Sequence, residues 1–238
     1  MRVIQYNIGK FNWGGTAGIE SGAAQKIANY NSFFATESAD VLTMQEFVTY
    51  VDRAEQYNSD TAIFDRQFSY KSYTEKETAI KSQYAFADSA FSYLHTSGDP
   101  SAWCIYGNTT IHGRSVKLIS GVLNVTANTT QKLRALTKLV DQIVGSSYNV
   151  IIGMDTNALS QSEADSMKQF MANHGFICAN WGAFGYLDTY NLSWTGYKCI
   201  DNIFVRGDIE ITNFTVPSVY SELSSDHFPV VADLILYA

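Results

Sequence analysis

Ser224-Ser225-Asp226-His227-Phe228-Pro229-Val230 joins an adjacent carboxylate and imidazole to a Pro-Val that begins the apolar run Val230 to Leu236. A run of that length and character reads as a buried strand, so the Asp-His pair sits at a strand's entrance beside a rigid proline. A carboxylate there can hold a divalent cation, while the neighbouring imidazole hydrogen-bonds whatever the cation binds. The dipeptide says little by itself. Its weight comes from other polar clusters in the same kind of position along the chain.

Working back towards the N-terminus, residues 200–205 and 209–216 read as strands, and a helix over about 162–174 stops at Gly175. Asn149 to Ile152 is a buried strand running into Gly153-Met154-Asp155-Thr156-Asn157. Leu133, Leu136, Leu139, Val140 and Ile143 mark an amphipathic helix ending at Gly145, preceded by a strand from Val116 to Val125. Val41 to Met44 is a short buried strand closing on Gln45-Glu46. Residues 21–37 suit a helix, and residues 2–8 a strand ending at Asn7. From 47 to 110 the pattern weakens into aromatics and short strands. Strands interleaved with helices, with late strand runs, give an α/β class with mixed sheets.

The polar clusters are Asn7, Gln45-Glu46, Asp155-x-Asn157, Asp201 and Asp226-His227. Each lies where a run favouring burial meets a loop, where a rigid scaffold presents side chains. Singly, each has a structural alternative. Asn7 serves as a turn former, Glu46 as a solvated strand end, Asp155 and Asn157 as loop or cap residues, and Asp201 as a strand cap. His227 alone would pass for a satisfied, partly buried histidine. Together, in this order and with these neighbours, they call for a common explanation.

The chain resembles the endonuclease/exonuclease/phosphatase superfamily, which includes pancreatic-type deoxyribonucleases, apurinic endonucleases, inositol polyphosphate 5-phosphatases and bacterial sphingomyelinases. The matching segments are Val3 to Ile8, Val41 to Glu46, Val150 to Asn157, Ile200 to Val205 and Ser225 to Val230, with Thr78 to Tyr84 a weaker match. The resemblance implies an α/β, DNase I-like, four-layer sandwich of two mixed β-sheets flanked by helices, spanning residues 1–238 as one catalytic domain. It also implies hydrolysis of a phosphate ester with a divalent cation, usually Mg²⁺ with Mn²⁺ as the alternative. Carried onto matching positions, Glu46 is the main cation ligand with Asn7 and Asp226 nearby. Asp155 deprotonates the attacking water, Asn157 and Asn7 donate to phosphate or water, and His227 is held by Asp201 and stabilises the transition state.

One position departs from the pattern. Where the superfamily places a His-Leu or a Tyr near the scissile phosphate, this chain has Val122, which neither donates a proton nor hydrogen-bonds. Asn124, two residues further along a strand, is the candidate for part of that work.

Composition bounds the alternatives. The 238 residues carry a net charge of −7, which disfavours a protein whose affinity comes mainly from a broad basic surface on nucleic acid. No stretch approaches the roughly 20 apolar residues of a membrane span. Cys104, Cys178 and Cys199 are odd in number, lack metal-ligand spacing and read as buried free thiols. The first residues read directly as a strand with no signal peptide ahead of it, which fits either the cytoplasm or export after removal of a signal. Oligomeric state leaves no mark in the sequence. The leading expectation is a Mg²⁺-dependent phosphodiesterase, a nuclease, acting on a phosphate-ester partner such as nucleic acid. A phosphomonoesterase or lipid head-group phosphodiesterase is the alternative, with Lys71, Lys76 and Lys81 as candidate wall residues. A non-catalytic module that kept the fold stands third, motivated by Val122. Arg53, Arg66 and Arg114 are further candidate phosphate contacts, and Tyr50, Tyr57, Tyr70 and Tyr73 a candidate stacking platform.

Overall fold

Alternation along the first strand sorts its residues onto two faces. Val3, Gln5 and Asn7 point one way, and Ile4, Tyr6 and Ile8 the other, all of them buried. Both faces are therefore covered, as a strand inside a layered sandwich requires. The computed structural model describes residues 1–9, 32–33, 35–46, 70–75 (backbone only), 78–182, 185–190, 196–217 and 225–237. Most of the helix expected over 21–37 lies outside them, and the described part of 32–37 is helical.

Two six-stranded sheets pack face to face. The first runs β11 (Ile209–Thr215), β12 (Val230–Leu236), β1 (Arg2–Asn7), β2 (Val41–Gln45), β4 (Thr78–Ser82), β3 (Tyr70–Glu75). The second runs β5 (Phe86–Tyr93), β6 (Trp103–Ile111), β7 (Arg114–Val122), β8 (Asn149–Asp155), β10 (Asp201–Arg206), β9 (Ile177–Cys178). Each sheet is mixed: β1 and β2 are parallel, as are β7 and β8, and the remaining pairs are antiparallel. Helices α1 (Thr129–Lys138) and α2 (Gln161–Asn173) cover the outer face of the second sheet. Phe33, buried edge-on against Tyr6, covers part of the first.

The helices begin where their caps dictate. Asn128 and Gln131 form a reciprocal capping box on α1, and the Ser160 hydroxyl accepts from the Glu163 amide at the start of α2. Beyond Lys138, α1 continues as a π-helical turn, Leu139–Val144, that stops at Gly145 with φ 52°. The strand expected over 116–125 instead runs from Arg114 to Val122. Its end is set by the Leu123 amide, which turns to the Asp155 carbonyl, and by Asn124, whose side chain accepts from the Thr126 amide at 2.8 Å.

Between the sheets, one end of the interior is apolar, with Val3, Val41, Val116, Leu118, Ile151 and Val205. The other end is polar, with Gln5, Thr43, Gln45, Ser120 and Asp201, all fully buried. Gly153 sits at the transition. A Cβ built there falls inside the Thr43 hydroxyl, 2.7 Å from the Thr43 Cβ and 2.9 Å from the Gln5 Oε1. The glycine of the Gly-x-Asp stretch thus lets polar side chains of the first sheet press against the backbone of the second.

Candidate active site

Strand direction gathers the polar clusters. β1, β2 and β8 end at Asn7, Gln45 and Asp155, whereas β10 begins at Asp201 and the segment entering β12 carries Asp226-His227. β10 is antiparallel to β8 and β12 to β1, so starts and ends meet at one rim of the sandwich. Asp201 lies directly across from Asp155. Two carboxylates opposite one another on neighbouring strands repel, and a cation must offset them.

Asn7 is the hinge of the arrangement. Its Nδ2 donates to Asp155 Oδ2 at 3.0 Å and to Glu46 Oε1 at 3.4 Å, while its Oδ1 accepts from the Gly9 amide at 3.0 Å. Glu46 and Asp155 therefore lie within two hydrogen bonds of each other. Glu46 reaches in from the residue after β2 with φ 52°, and Asn157 has φ 47°. Left-handed backbone at non-glycine residues is costly, by about 1–3 kcal/mol, and persists where the surroundings enforce it. Asn157 explains its own: its amide N donates to Asp155 Oδ1 at 2.9 Å, and its Nδ2 donates to Asp155 Oδ2 at 3.2 Å and the Leu123 carbonyl at 2.8 Å.

The required cation is His227. Its Nδ1 meets Asp201 Oδ2 at 2.7 Å, and its Nε2 lies 3.9 Å from Asp226 Oδ1. Burial alone would lower its pKa, but Asp201, with help from Asp155 and Asp226, raises it to about 10. Burial and the charge on Asp201 push the Asp155 carboxyl up to about 7, against the pull of His227 and the hydrogen bonds from Asn157 and Asn7. Asp201 is itself anchored: Gln5 Nε2 donates to its Oδ1 at 3.2 Å, and its amide donates to Thr189 Oγ1 at 2.9 Å. Gln5 and Gln45 exchange side-chain hydrogen bonds, and Gln45 donates to Ser120 Oγ at 3.0 Å, tying both sheets together beneath the site.

Asp226 is buried, which raises its pKa, and accepts a hydrogen bond from the Tyr190 hydroxyl. The Tyr190 ring also covers His227, with centroids 4.9 Å apart. Ser225 donates to the Asn7 carbonyl at 2.6 Å and accepts from the His227 amide, fixing the Asp-His segment to the end of β1.

A cation fits this donor set. Glu46, Asp155, Asp201 and Asp226 face one imidazolium, leaving surplus negative charge at a site of oxygen donors that suits a hard ion. Asp155, Asp201 and His227 also have donor atoms within 4.8 Å of one another. They make a poor metal trio, because the His227 Nδ1 is committed to Asp201 and the ring is held in its cationic form. The Asn7 oxygen is turned towards the Gly9 amide, so Asn7 presents a donor rather than an acceptor to the carboxylates.

All the site residues expected from the sequence thus gather at one rim; of the secondary candidates, Val122 is there too, whereas Arg114 and Lys81 are not. Val122 stands opposite Asp155 on β7, half-buried and without a polar group. Asn124 lies past the strand end with its side-chain Oδ1 accepting from the Thr126 amide and hydroxyl, so it does not share a strand face with Val122. Arg114 is at the far end of β7, lining a separate cleft of about 310 Å³ with Lys117 and Tyr148. Lys81 is buried across from Leu42 on the outer face of the first sheet, away from the rim. His95 closes the turn between β5 and β6 through Ala102, His112 sits in the turn between β6 and β7, and His174 ends α2. Arg53, Arg66, Tyr50, Tyr57, Lys76 and Ser224, and the side chains of Tyr70, Lys71 and Tyr73, lie outside the described residues. The three cysteines are free and buried, as expected.

Sequence reasoning missed Gln5, Thr189, Tyr190, Lys132 and Glu163. Gln5 had a signal, the alternation Val3-Gln5-Asn7 that places it on the face of Asn7. The others reach the site only through long-range contacts.

Neither a family model nor a curated protein matches the chain. Solved structures do. An endonuclease/exonuclease/phosphatase from Bacteroides vulgatus superposes with a TM-score of 0.73 at 16% identity, covering 99% of this chain and 98% of the other. A mannosyl-6-phosphatase from Bacteroides thetaiotaomicron gives 0.68 at 15% identity, with 99% of each chain covered. D. rerio TDP2, in complex with a single-strand DNA product, gives 0.71 at 16% identity, covering 99% and 98%. The chain has the four-layer fold that these proteins share.

Proposed function

Taking the endonuclease/exonuclease/phosphatase fold as premise, we propose that this chain is a metal-dependent phosphoester hydrolase, 1–238 forming one catalytic domain, and that its preferred substrates are phosphodiesters. The observation that carries this reading is the Asn7 amide bonded to both Glu46 and Asp155, beside an imidazolium braced by Asp201.

In this reading Glu46 and Asp226 hold Mg²⁺, with Mn²⁺ as a substitute, and the ion when bound polarises the phosphoryl oxygens and offsets developing charge. Asp155, its carboxyl raised towards neutrality, is suited to take a proton from water near neutral pH. Asn7 and Asn157 fix both of its oxygens, so the lone pair that accepts the proton has one direction. His227 presents Nε2 to the rim and stabilises the anionic transition state, its ring clamped by Asp201 on one side and covered by Tyr190 on the other. Val122 supplies no donor, so the leaving group departs without help from that position.

The net charge of −7 favours a second reading, a phosphomonoesterase acting on a compact substrate such as a sugar phosphate. Turnover of single- and double-stranded DNA, RNA, bis(p-nitrophenyl) phosphate and a panel of monoesters with Mg²⁺ separates the two. Hydrolysis of monoesters beside none of any diester rejects the phosphodiesterase reading. No Mg²⁺-dependent turnover of any ester rejects both.

A further inference from the structure

We infer that Lys132 and Glu163 form a buried positioning pair that holds Asn157, and through it Asp155, in working geometry. The inference rests on the hydrolase reading for its kinetic consequence, but not for its structural one. Lys132, on α1, is 1% exposed, and its Nζ donates to the Asn157 carbonyl at 2.5 Å and to Glu163 Oε2 at 3.0 Å. Glu163, in the first turn of α2 and 6% exposed, also accepts from the Leu159 amide at 2.7 Å and the Thr129 hydroxyl at 3.2 Å. The pair thus clips two helices to both ends of the segment 157–159.

That segment is where the backbone needs holding. Asn157 has φ 47°, and its backbone amide and its Nδ2 make three hydrogen bonds to Asp155 and Leu123. Its backbone carbonyl is held by Lys132. An ammonium donating to a carbonyl is a charge-assisted bond, stronger than a neutral one. Burial lowers the Lys132 pKa, while the Glu163 carboxylate opposes that and keeps a charged donor inside the protein. A simpler way to join two helices exists. Apolar side chains of similar volume in place of a buried ion pair are often as stable or more so. The use of a cation here is explained by what an apolar residue cannot do, which is to hold a carbonyl in a left-handed turn one residue away from Thr156 and two from the proposed base.

The test is the double variant Lys132→Met/Glu163→Leu. The inference expects a melting temperature within about 5 °C of the parent, a shift of under roughly 2 kcal/mol for a chain of this length. It also expects faster amide hydrogen exchange at 157–159, read by mass spectrometry. On whichever phosphoester the parent hydrolyses, kcat falls about 10²-fold, the loss expected when a reacting group is misplaced by an ångström, with KM changed less than threefold. In an Asn157→Ala background the same double change costs less than threefold in kcat, since the residue it positions is already cut back. Parent-like exchange at 157–159 in a folded double variant overturns the inference, whether or not any ester is turned over. An unchanged kcat overturns its kinetic half. Should the double variant not fold, Glu163→Gln, which keeps an acceptor but removes the charge, replaces it. Faster exchange there with the fold intact supports the pair, and unchanged exchange overturns it. A parent without hydrolytic activity refutes the function and leaves the exchange result to decide the pair.

Discussion

Replacing Gly153 by alanine tests a close approach between the sheets. The added methyl would occupy the space of the Thr43 hydroxyl and lie 2.9 Å from the Gln5 Oε1. β8 is a central strand, paired on both sides, so its backbone cannot retreat, and Thr43 must rotate instead. Rotation breaks the 3.0 Å bond from Thr43 Oγ1 to Gln5 Oε1 and the 3.3 Å bond to the Ile4 carbonyl. Overpacking of about 2 kcal/mol together with a lost net hydrogen-bond contribution of about 1 kcal/mol gives a destabilisation near 3 kcal/mol. For a chain of this length that lowers the melting temperature by about 6–12 °C, measurable by calorimetry or circular dichroism. Adding Thr43→Ala removes the obstructing side chain, so the double variant regains at least half of the loss. A single variant that melts within 2 °C of the parent, or a double variant no better than the single, refutes the reasoning that Thr43 leaves no room for a side chain at 153.

Three further outcomes follow from the site. Asp155→Asn keeps its shape but cannot take a proton, so kcat falls by about 10² to 10⁴ while folding, checked by circular dichroism, is retained. Asp201→Asn removes the charge that holds His227 cationic, so the alkaline limb of the rate profile moves down from near pH 10 towards the ordinary imidazole value of 6.5. An alkaline limb that stays in place refutes the pairing. Stability should respond to pH through the same groups. A folded-state pKa raised from 6.5 to about 10 for His227 gives stability that is complete below pH 6.5 and lost as pH rises to 10. Asp155, raised from 3.8 to about 7, loses its contribution over the lower window between those values. Urea unfolding across pH 4–10 in EDTA should show both losses, and His227→Gln should flatten the upper one.

Strands β1, β2, β7, β8, β10, β11 and β12 were legible because they are short runs of apolar residues with distinct ends, whereas their packing as two layered sheets was expected only from the family resemblance. Asn7, Glu46, Asp155, Asp201 and His227 stood out as polar residues where an apolar run stops, but each alone had a structural alternative, and only their joint match to the family pattern singled them out. What stayed hidden depends on contacts between elements distant in sequence. Asn124 looked like a partner for Val122 because the strand was read three residues too long, past an Asx turn that local pattern does not separate from a strand. Lys132 is not among the apolar residues that mark its helix in the sequence, and only the docking of α2 shows that it is buried. The direction of the Asn7 amide is fixed by Gly9 and two carboxylates, none of which its own segment reveals except the first.

β12 lies between β11 and β1 in the first sheet, although it comes later in the chain than any other described strand. Ribosomal synthesis therefore delivers an interior stave of that sheet after its neighbours. Until it slots in, β1 lacks a partner on one side, and the Asp226-His227 segment that precedes it has nowhere to dock. The nascent polypeptide would carry Glu46 and Asp155 before His227 is docked beside them, gaining its imidazole in the same event that closes the sheet. On the proposed hydrolase reading, competence would then appear with the docking of β12, at once rather than by degrees.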